Sequence, residues 1–293
     1  MAACNVGGFY YIFTTIEERT KGAPQMTLRL MCVLAHPDDE SLGAGGILAR
    51  YASEGVETSL VMATRGERGW AGEEKDNPGL TALGKIREAE LMAAAEILGL
   101  REVVFLDYID GDLDRADPVE AITKIAAHIR RRRPQVVVTF GPEGAYGHPD
   151  HIAISQFTTA AALAAADPEY PTLPPSSWHR VSKLYFLEDS EEMIALYERL
   201  FGEITMHVDG IVRRALVWPK WMLTTQVDAE AHWPTVWRAA QCRRTQLAPL
   251  ADKLHTLTEE DHKVLWGRPS FYRAYSLVNG GRAVERDLFE GLR

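Results

Sequence analysis

Two short segments of the chain combine histidines with closely spaced carboxylates. The first is His36–Glu40, which reads HPDDE, and the second is Tyr146–His151, which reads YGHPDH. Carboxylates packed side by side repel one another and lose hydration, and a cation bound among them would offset both penalties. Two histidines and one carboxylate, with a fourth position open for water, are the ligands of many hydrolytic zinc sites. The alternative is a pair of solvated turns, but the repetition of His-Pro-Asp beside further acids and histidines disfavours it.

The elements around these segments must bring them together. Each segment follows a predicted buried strand, and the alternation of strands with helices predicts right-handed crossovers and a mostly parallel sheet. The predicted strands are Leu28–Leu34, Val56–Ala63, Val103–Leu106, Gln135–Phe140 and Lys183–Leu187, and the predicted helices are Ser41–Ser53, Lys85–Leu98 and one that begins at Asp117 and Pro118. In such a sheet, ligands bind in the crevice outside the carboxyl ends of the strands, so we expect both segments to face one pocket.

The chain is predicted to form a Rossmann-like three-layer α/β sandwich with a smaller C-terminal element. The core pattern begins near Met26, so residues 1–25 are predicted to be either a loose N-terminal extension or the result of an upstream start. Residues 26–190 carry the alternating pattern of the core. Beyond Ser190 the pattern weakens into helices and short strands with several tryptophans. We therefore expect residues 191–293 to pack on the core as a smaller element.

The overall charge is acidic, with 32 Lys and Arg residues against 41 Asp and Glu residues and a net charge of −9. This balance disfavours binding to nucleic acids or to anionic membranes. Arg130–Arg133 is instead predicted to close a helix, where positive charge complements the C-terminal dipole. No apolar run approaches the roughly 20 residues of a membrane span. The three cysteines are widely scattered, which favours a reducing cytoplasm over a disulfide framework or a thiolate zinc site.

The segment LGAGGIL at residues 42–48 invites a dinucleotide-binding interpretation. The G-x-G-x-x-G fingerprint needs Gly or Ala at its last position, where this chain has Leu48, and the acids before the segment would repel a pyrophosphate. A nicotinamide oxidoreductase is therefore disfavoured. We expect these glycines to let a helix approach the sheet closely.

The segments His36–Glu40 and Gly147–His151 resemble the two signature motifs of the PIG-L/LmbE-like deacetylase family. That family includes N-acetylglucosaminyl-phosphatidylinositol de-N-acetylases and the deacetylases of the bacterial mycothiol and bacillithiol pathways. The resemblance extends from Leu28 to Ala165 and is weak in the C-terminal third. It implies a zinc-dependent hydrolase that removes an N-acyl group, with acetyl as the first expectation, from an amino sugar or its conjugate.

The resemblance implies that His36, Asp39 and His151 bind the metal. Zinc bound there would lower the pKa of a bound water toward ~7 and polarise the amide carbonyl. Fe²⁺ or Co²⁺ could occupy the same ligands in place of Zn²⁺.

The resemblance further implies that Asp38 is the general base and that His148 is the electrophilic or general-acid histidine. Asp150 is expected to hold the ring of His148, and Tyr146 is expected to assist at the oxyanion. The residue types agree with these roles, because a carboxylate kept off the metal must take the proton of the water. The adjacent Asp38 and Asp39 could divide these two tasks. Collapse of the tetrahedral intermediate then requires a proton for the leaving amine, which a histidine could supply.

Arg87 and Asp110 resemble positions that contact the sugar in glucosamine-type deacetylases, so both are predicted to bind substrate. The predicted partner is a small N-acylated amino sugar. Two other functions stay open: hydrolysis of a different amide, such as a thiol conjugate or an antibiotic, and metal binding without turnover. Asp38 and His148 argue against the second, because metal binding alone needs neither. The sequence leaves the oligomeric state open, a homo-oligomer included.

Overall fold

A seven-stranded sheet forms the centre of the fold. The computed structural model describes residues 3–6, 9–12, 27–281 and 283–293. The strands are β1 Ala3–Val6, β2 Phe9–Ile12, β3 Arg29–Leu34, β4 Glu57–Thr64, β5 Glu102–Tyr108, β6 Val136–Phe140, β7 Lys183–Glu188, β8 Thr205–Val208, β9 Ile211–Arg214, β10 Thr225–Gln226 and β11 Ser270–Ser276. The helices are α1 Asp39–Leu42, α2 Gly45–Ser53, α3 Leu80–Leu98, α4 Pro118–Arg132, α5 Pro149–Ala166, α6 Glu191–Phe201, α7 Trp233–Ala240, α8 Arg244–Leu247, α9 Ala251–Leu254 and α10 Glu259–Trp266. Short 3-10 turns lie at Glu74–Asp76, Leu113–Arg115, Glu230–His232 and Ala248–Leu250.

The sheet is mostly parallel. Its strand order is β10-β11-β7-β6-β3-β4-β5. Strands β7, β6, β3, β4 and β5 run parallel to one another, and β11 and β10 extend the sheet beyond β7 with antiparallel pairing. Helices α4 and α5 pack together on one face, whereas α2 and α3 lie with α7 on the other. The predicted three-layer α/β sandwich is therefore confirmed.

The C-terminal region extends the sheet as well as covering it. Strands β10 and β11 come from beyond residue 190 and pair at the edge next to β7. The domain boundary at residue 190 stays a prediction. Strands β1 and β2 form a separate hairpin, and the remainder of the extension predicted at residues 1–25 lies outside the described residues.

The apolar sequence of β3 and β6 explains why these strands lie at the centre. Every residue of β6 is buried, as are the last five residues of β3, which is the pattern of parallel strands covered on both faces. Cys32 of β3 pairs with Val138 of β6 and with Leu60 of β4. Because β3 and β6 are parallel neighbours, the two segments that follow them meet at the same edge of the sheet.

Helix α4 begins and ends as predicted. The Asp117 carboxylate caps its N-terminus by accepting a hydrogen bond from the Val119 N–H at 2.8 Å, and Pro118 occupies the first turn. Arg130 differs from the rest of the arginine run, because its side chain is buried. It donates hydrogen bonds to main-chain carbonyls at the end of α5 and just beyond it, those of Ala164, Ala165, Asp167 and Tyr170. Arg130 thus satisfies carbonyl groups that a helix end leaves without intrahelical partners.

The glycines of α2 admit helices of the C-terminal region. A Cβ on Gly46 would lie 2.2 Å from the carbonyl oxygen of Trp266, and a Cβ on Gly45 would lie 2.5 Å from Val236. Gly45 and Gly46 therefore bring α2 close to α7 and to the end of α10, whereas the expected approach to the sheet occurs at Gly43, where a Cβ would lie 3.1 Å from Leu187 of β7. Within the described ranges, no helix has the length and hydrophobicity needed to cross a membrane.

Candidate active site and metal centre

The loop after β3 and the first turn of α5 bring the three predicted metal ligands together. Nδ1 of His36 lies 3.2 Å from Nε2 of His151 and 3.9 Å from one carboxylate oxygen of Asp39. The other oxygen of Asp39 lies 3.6 Å from Nε2 of His151. Around a tetrahedral zinc with bonds of about 2.0–2.1 Å, ligand atoms are roughly 3.3 Å apart. The separations of His151 from His36 and from Asp39, 3.2 and 3.6 Å, are close to that value, whereas the 3.9 Å separation from His36 involves the other oxygen of Asp39.

Two other groupings of potential ligands also contain His36. One joins it to His148 and His151, and the other joins it to Asp110 and Asp150, with ligand atoms within 4.8 Å in each case. In the second grouping, Nε2 of His36 lies 3.1 Å from Asp110 and 3.0 Å from Asp150. These carboxylates accept the Nε2 proton and leave Nδ1 directed at His151. A metal-bound histidine is typically held in this way by an acid on its other ring nitrogen.

The charges of the site also fit a cation. Burial raises the pKa of Asp39 to about 7, although the charge of His36 opposes the shift. Burial lowers the pKa of His151 well below its usual value, which keeps that ring neutral. Burial likewise lowers the pKa of His36, but the hydrogen bonds to Asp110 and Asp150 outweigh it and raise the value to about 10. A metal at Nδ1 of His36 would release the second proton of that ring and stabilise the Asp39 carboxylate.

Asp38 is held beside the metal ligands by a strained backbone and by Arg87. Its φ of 143° and ψ of −30° lie where a residue with a side chain rarely falls, at a cost of about 1–3 kcal/mol. Buried Arg87 of α3 donates to the Asp38 carboxylate at 3.0 Å and to the carbonyls of Pro37 and Gly66 at 2.5 and 2.8 Å. A Cβ on Gly66 would lie 2.3 Å from this guanidinium, so the loop that follows β4 needs glycine there. These hydrogen bonds position the Asp38 carboxylate, the predicted general base. Arg87 also lines a cavity beside it, and its contact with a substrate stays a prediction.

Glu40 supports Asp38 from the other side, and Glu40 itself is paired with Arg243, a residue that the sequence did not point to. One oxygen of fully buried Glu40 accepts a hydrogen bond from the Asp38 N–H at 3.1 Å, and the other forms an ion pair with Arg243. Arg243 is also fully buried, and its Nε donates to the Ser41 hydroxyl at 3.3 Å. It lies just after α7, 203 residues from Glu40. The only signal in the sequence was indirect: a buried acid at a helix start needs a cationic partner.

Asp150 and His148 contact each other differently from the expectation. The Asp150 carboxylate accepts hydrogen bonds from the N–H groups of Gly111 and Leu113 at 2.7 and 3.1 Å. His148 is instead held by the backbone N–H of Asp150, which donates to Nδ1 at 3.1 Å because His148 is the N-cap of α5. Burial and the charge of His36 lower the pKa of His148 to about 4. The neutral ring therefore carries its proton on Nε2.

Asp110 has a partner on each carboxylate oxygen. Oδ1 lies 3.1 Å from Nε2 of His36, and Oδ2 accepts a hydrogen bond from the Arg68 N–H at 3.0 Å. Burial would raise its pKa, but the hydrogen bond and the charge of His36 lower it to about 2. Asp110 can therefore meet a substrate with its remaining lone pairs, and it also orients His36.

A polar cavity of about 510 Å³ opens over these residues. Among its lining groups are Asp38, Arg68, Asp110, Arg115, His148 and Gln246. The tip of the β8–β9 hairpin, residues 206–209, forms one side of it. Tyr146 lies at the cavity with its ring 5.9 Å from His148 and 5.4 Å from His151. Of the predicted site residues, Asp150 and His151 do not line this cavity, and both are buried.

Comparison with known proteins identifies the family. Residues 31–162 match the family model described as PIG-L: GlcNAc-PI de-N-acetylase. The chain is 35% identical over 246 residues to a 1D-myo-inositol 2-acetamido-2-deoxy-alpha-D-glucopyranoside deacetylase of Thermobifida fusca, covering 75% of this chain and 84% of the relative. The chain belongs to the PIG-L family of de-N-acetylases.

A second relative agrees with this assignment, and a solved structure shares the fold. An enzyme of the same description from Streptomyces avermitilis is 39% identical over 301 residues, covering 90% of this chain and 97% of the relative. The N,N'-diacetylchitobiose deacetylase from Pyrococcus horikoshii has a TM-score of 0.62 at 18% identity, covering 84% of this chain and 83% of that one, and its likeness concerns the fold alone. The family and the hydrolytic N-deacetylase class predicted from the two motifs are confirmed.

Proposed function

We propose that this protein is a zinc-dependent N-deacetylase that hydrolyses the acetamido group of an N-acetylglucosamine conjugate. The observation that carries the proposal is the convergence of His36, Asp39 and His151 beside Asp38, at the floor of a polar cavity. The names of the relatives supply the first candidate substrate, 1D-myo-inositol 2-acetamido-2-deoxy-alpha-D-glucopyranoside. Fe²⁺ and Co²⁺ are the alternative metals, since histidine and carboxylate ligands suit them as well.

A metal held by the three ligands would lower the pKa of water and polarise the amide carbonyl. The protein must then move the protons, and Asp38 is placed to do so. Its carboxylate is adjacent to the ligands without being one of them, and Arg87 fixes it at 3.0 Å. Asp38 takes a proton from the attacking water and, as a carboxylic acid, can return it to the leaving amine.

His148 and Tyr146 supply hydrogen bonds to the oxygen that becomes negative. Because Nδ1 of His148 accepts from the Asp150 N–H, the ring proton on Nε2 is free for the cavity. This geometry favours His148 as an electrophile that stabilises the oxyanion over a general acid, since a second proton on Nδ1 would break that hydrogen bond. The edge-on ring of Tyr146 places its side chain in the same part of the cavity.

Hydrolysis of a different amide is the second candidate function, and the polar lining favours the sugar over it. Charged side chains of Arg68, Asp110 and Arg115 surround the cavity. A sugar presents hydroxyl groups in fixed directions, and charge-assisted hydrogen bonds to them contribute roughly 1.5–3 kcal/mol each. An acyclic thiol conjugate offers fewer such groups. Metal binding without turnover is disfavoured, because it would not explain why Asp38 is held in a strained conformation.

The test combines metal content with release of amine. Purified protein is stripped with a chelator, reconstituted with Zn²⁺, Fe²⁺ or Co²⁺, and assayed on the inositol glucosaminide and on an acyclic N-acetyl amine. We expect one metal per chain, and hydrolysis of the glucosaminide that depends on it. The variant His151→Ala should lose both metal and turnover, whereas His128→Ala, away from the site on α4, should change neither. Full activity in metal-free protein would contradict the proposal.

A further inference from the structure

A second cavity, of about 280 Å³, adjoins the metal ligands and differs from the first in chemistry. The two cavities share Asp38, Asp39 and Tyr146, so they meet at the predicted point of catalysis. The walls of the second cavity are mainly apolar and include Leu42, Phe140, Leu187, Met193, Ile194 and Ile204. We call it the apolar cavity.

An N-acyl amino sugar has one polar part and one apolar part, which match the polar and the apolar cavity. Its sugar is covered with hydroxyl groups, its acyl chain is apolar, and the amide carbon joins them. If the sugar occupies the polar cavity and the amide lies beside Asp38, the acyl chain points to the apolar cavity. An acetyl group offers a single methyl, which fills about as much space as one water, roughly 30 Å³. The apolar cavity is several times larger.

Resting on the proposed function, we propose that the apolar cavity is an acyl-binding site for chains longer than acetyl, of about four to eight carbons at roughly 30 Å³ per carbon. The natural substrate class would then include medium-chain N-acyl amino sugars. Each methylene that leaves water for an apolar site should improve kcat/KM about threefold to fourfold.

Two features of the apolar cavity support this assignment. Helix α6 supplies one wall through Met193 and Ile194, and its start is fixed by Ser190, whose hydroxyl accepts the Met193 N–H at 3.2 Å. Gly43 keeps the cavity open near the metal ligands, because a Cβ there would lie 3.1 Å from Leu187. The polar members of the lining are Asp189 and Tyr197, together with Asp38, Asp39, Tyr146 and His151 at the predicted metal site.

The test is a series of methyl glucosaminides carrying N-acetyl, N-butyryl, N-hexanoyl and N-octanoyl groups, assayed on the metal-loaded enzyme by released amine. We expect kcat/KM to rise at least tenfold from acetyl to hexanoyl. Ile194→Trp, which fills the apolar cavity, should abolish that rise, and the control Leu163→Trp, on the exposed side of α5, should preserve it. Ile204→Phe is a second filling variant outside α6, in case tryptophan at 194 disrupts that helix.

The outcomes separate this inference from the proposed function. Hydrolysis of the acetyl substrate with a fall in kcat/KM at each added methylene would overturn the acyl-binding site and leave the deacetylase intact. An unchanged hexanoyl-to-acetyl ratio in folded, metal-loaded Ile194→Trp and Ile204→Phe would overturn it as well. If no member of the series is hydrolysed, the proposed function fails. Calorimetry then decides the acyl-binding site, because tighter binding of the N-hexanoyl than of the N-acetyl glucosaminide would support it and equal binding would overturn it.

Discussion

The loop after β3 and the C-terminal third both build the active site, but they do so over very different distances in sequence. The loop places His36, Asp38 and Asp39 within four consecutive positions at the end of a buried strand. The C-terminal third contributes Arg243, which pairs with Glu40 across 203 residues. It also contributes one wall of the apolar cavity, through α6, and one side of the polar cavity, through the β8–β9 hairpin. The predicted reactive groups therefore come from two short segments, residues 36–40 and 146–151, and groups from the C-terminal third hold and surround them.

The two regions also differ in how charge is stabilised. Burial raises the pKa of Asp38 and of Asp39 in the loop, and the Asp39 carboxylate suits a cation from outside the chain, whereas Asp38 pairs with Arg87. In the C-terminal third, the chain supplies its own cation, because Arg243 is buried beside Glu40 with no exposure on either side chain. Such a pair contributes little net stability, but removal of one partner leaves a buried charge unpaired. Substitutions in the two regions should therefore separate loss of catalysis from loss of stability.

The largest effect is expected in the loop itself. Asp38→Asn should retain the metal and lower kcat roughly 10²–10⁴-fold, because the general base is lost. Asp39→Asn should lose metal affinity as well. Metal analysis and steady-state kinetics on both variants test this division. If Asp38→Asn empties the site while Asp39→Asn does not, the two roles are exchanged.

A comparable effect on stability is expected from the C-terminal third. Arg243→Met should lower the free energy of unfolding by about 3–5 kcal/mol, since Glu40 would be left as an unpaired buried charge. The exposed neighbour Arg244 provides the control, and Arg244→Met should change stability little. The double variant Glu40→Leu with Arg243→Met should recover much of the loss in urea unfolding. A double variant no more stable than Arg243→Met would show that the ion pair is not the reason.

A smaller effect is expected where the polar cavity meets the metal ligands. Asp110→Ala should lower kcat/KM for an N-acetylglucosaminide about 10–100-fold, through lost hydrogen bonds to the sugar. If substrate binding is its main role, an acyclic amide should be little affected and the metal should stay bound. Asp110 also contacts His36, so the alternative role is to orient that predicted metal ligand. Equal losses on both substrates, with weaker metal binding, would make Asp110 a support of the metal ligand.

The smallest effect concerns the edge of the sheet where the C-terminal strands join. A Cβ on Gly141 would lie 2.5 Å from carboxylate oxygens of both Glu143 and Glu188. Burial, followed by the charge of Glu143, raises the pKa of Glu188 from 4.5 to about 10. The unfolded chain therefore releases this proton first as the pH rises above 4.5, and the folded state loses stability between that pH and about 10.

Glu188→Gln should remove this loss, because the amide is neutral at every pH and can donate to Glu143. We expect the Tm of the wild type to fall more between pH 5 and pH 8 than that of the variant, by about 2–4 °C for each kcal/mol. Glu198→Gln, exposed on α6, is the matched control and should follow the wild type. If the Tm of the wild type and the Tm of Glu188→Gln changed equally with pH, the pKa of Glu188 beside Glu143 would not be raised.

The sequence by itself determined the α/β class, the central strands and the two motifs that converge. The apolar run Val136–Phe140 forms a buried strand, and Asp117 and Pro118 start a helix. Both signals concern residues only a few positions apart, so these elements can be predicted from the local sequence. The carboxyl-edge rule for parallel sheets then places both motifs in one crevice. That rule predicted that residues 36, 38, 39 and 151 share one site, and the family resemblance implied the role predicted for each.

Tertiary structure alone decided which partner each polar group takes. Arg87 binds Asp38, Arg243 binds Glu40, and the Asp150 carboxylate turns to His36 while its backbone N–H holds His148. Each choice depends on which helices pack together at the end of the sheet, and no local periodicity encodes it. A buried donor or acceptor must be satisfied, but the identity of its partner is set by three-dimensional proximity between segments far apart in the chain.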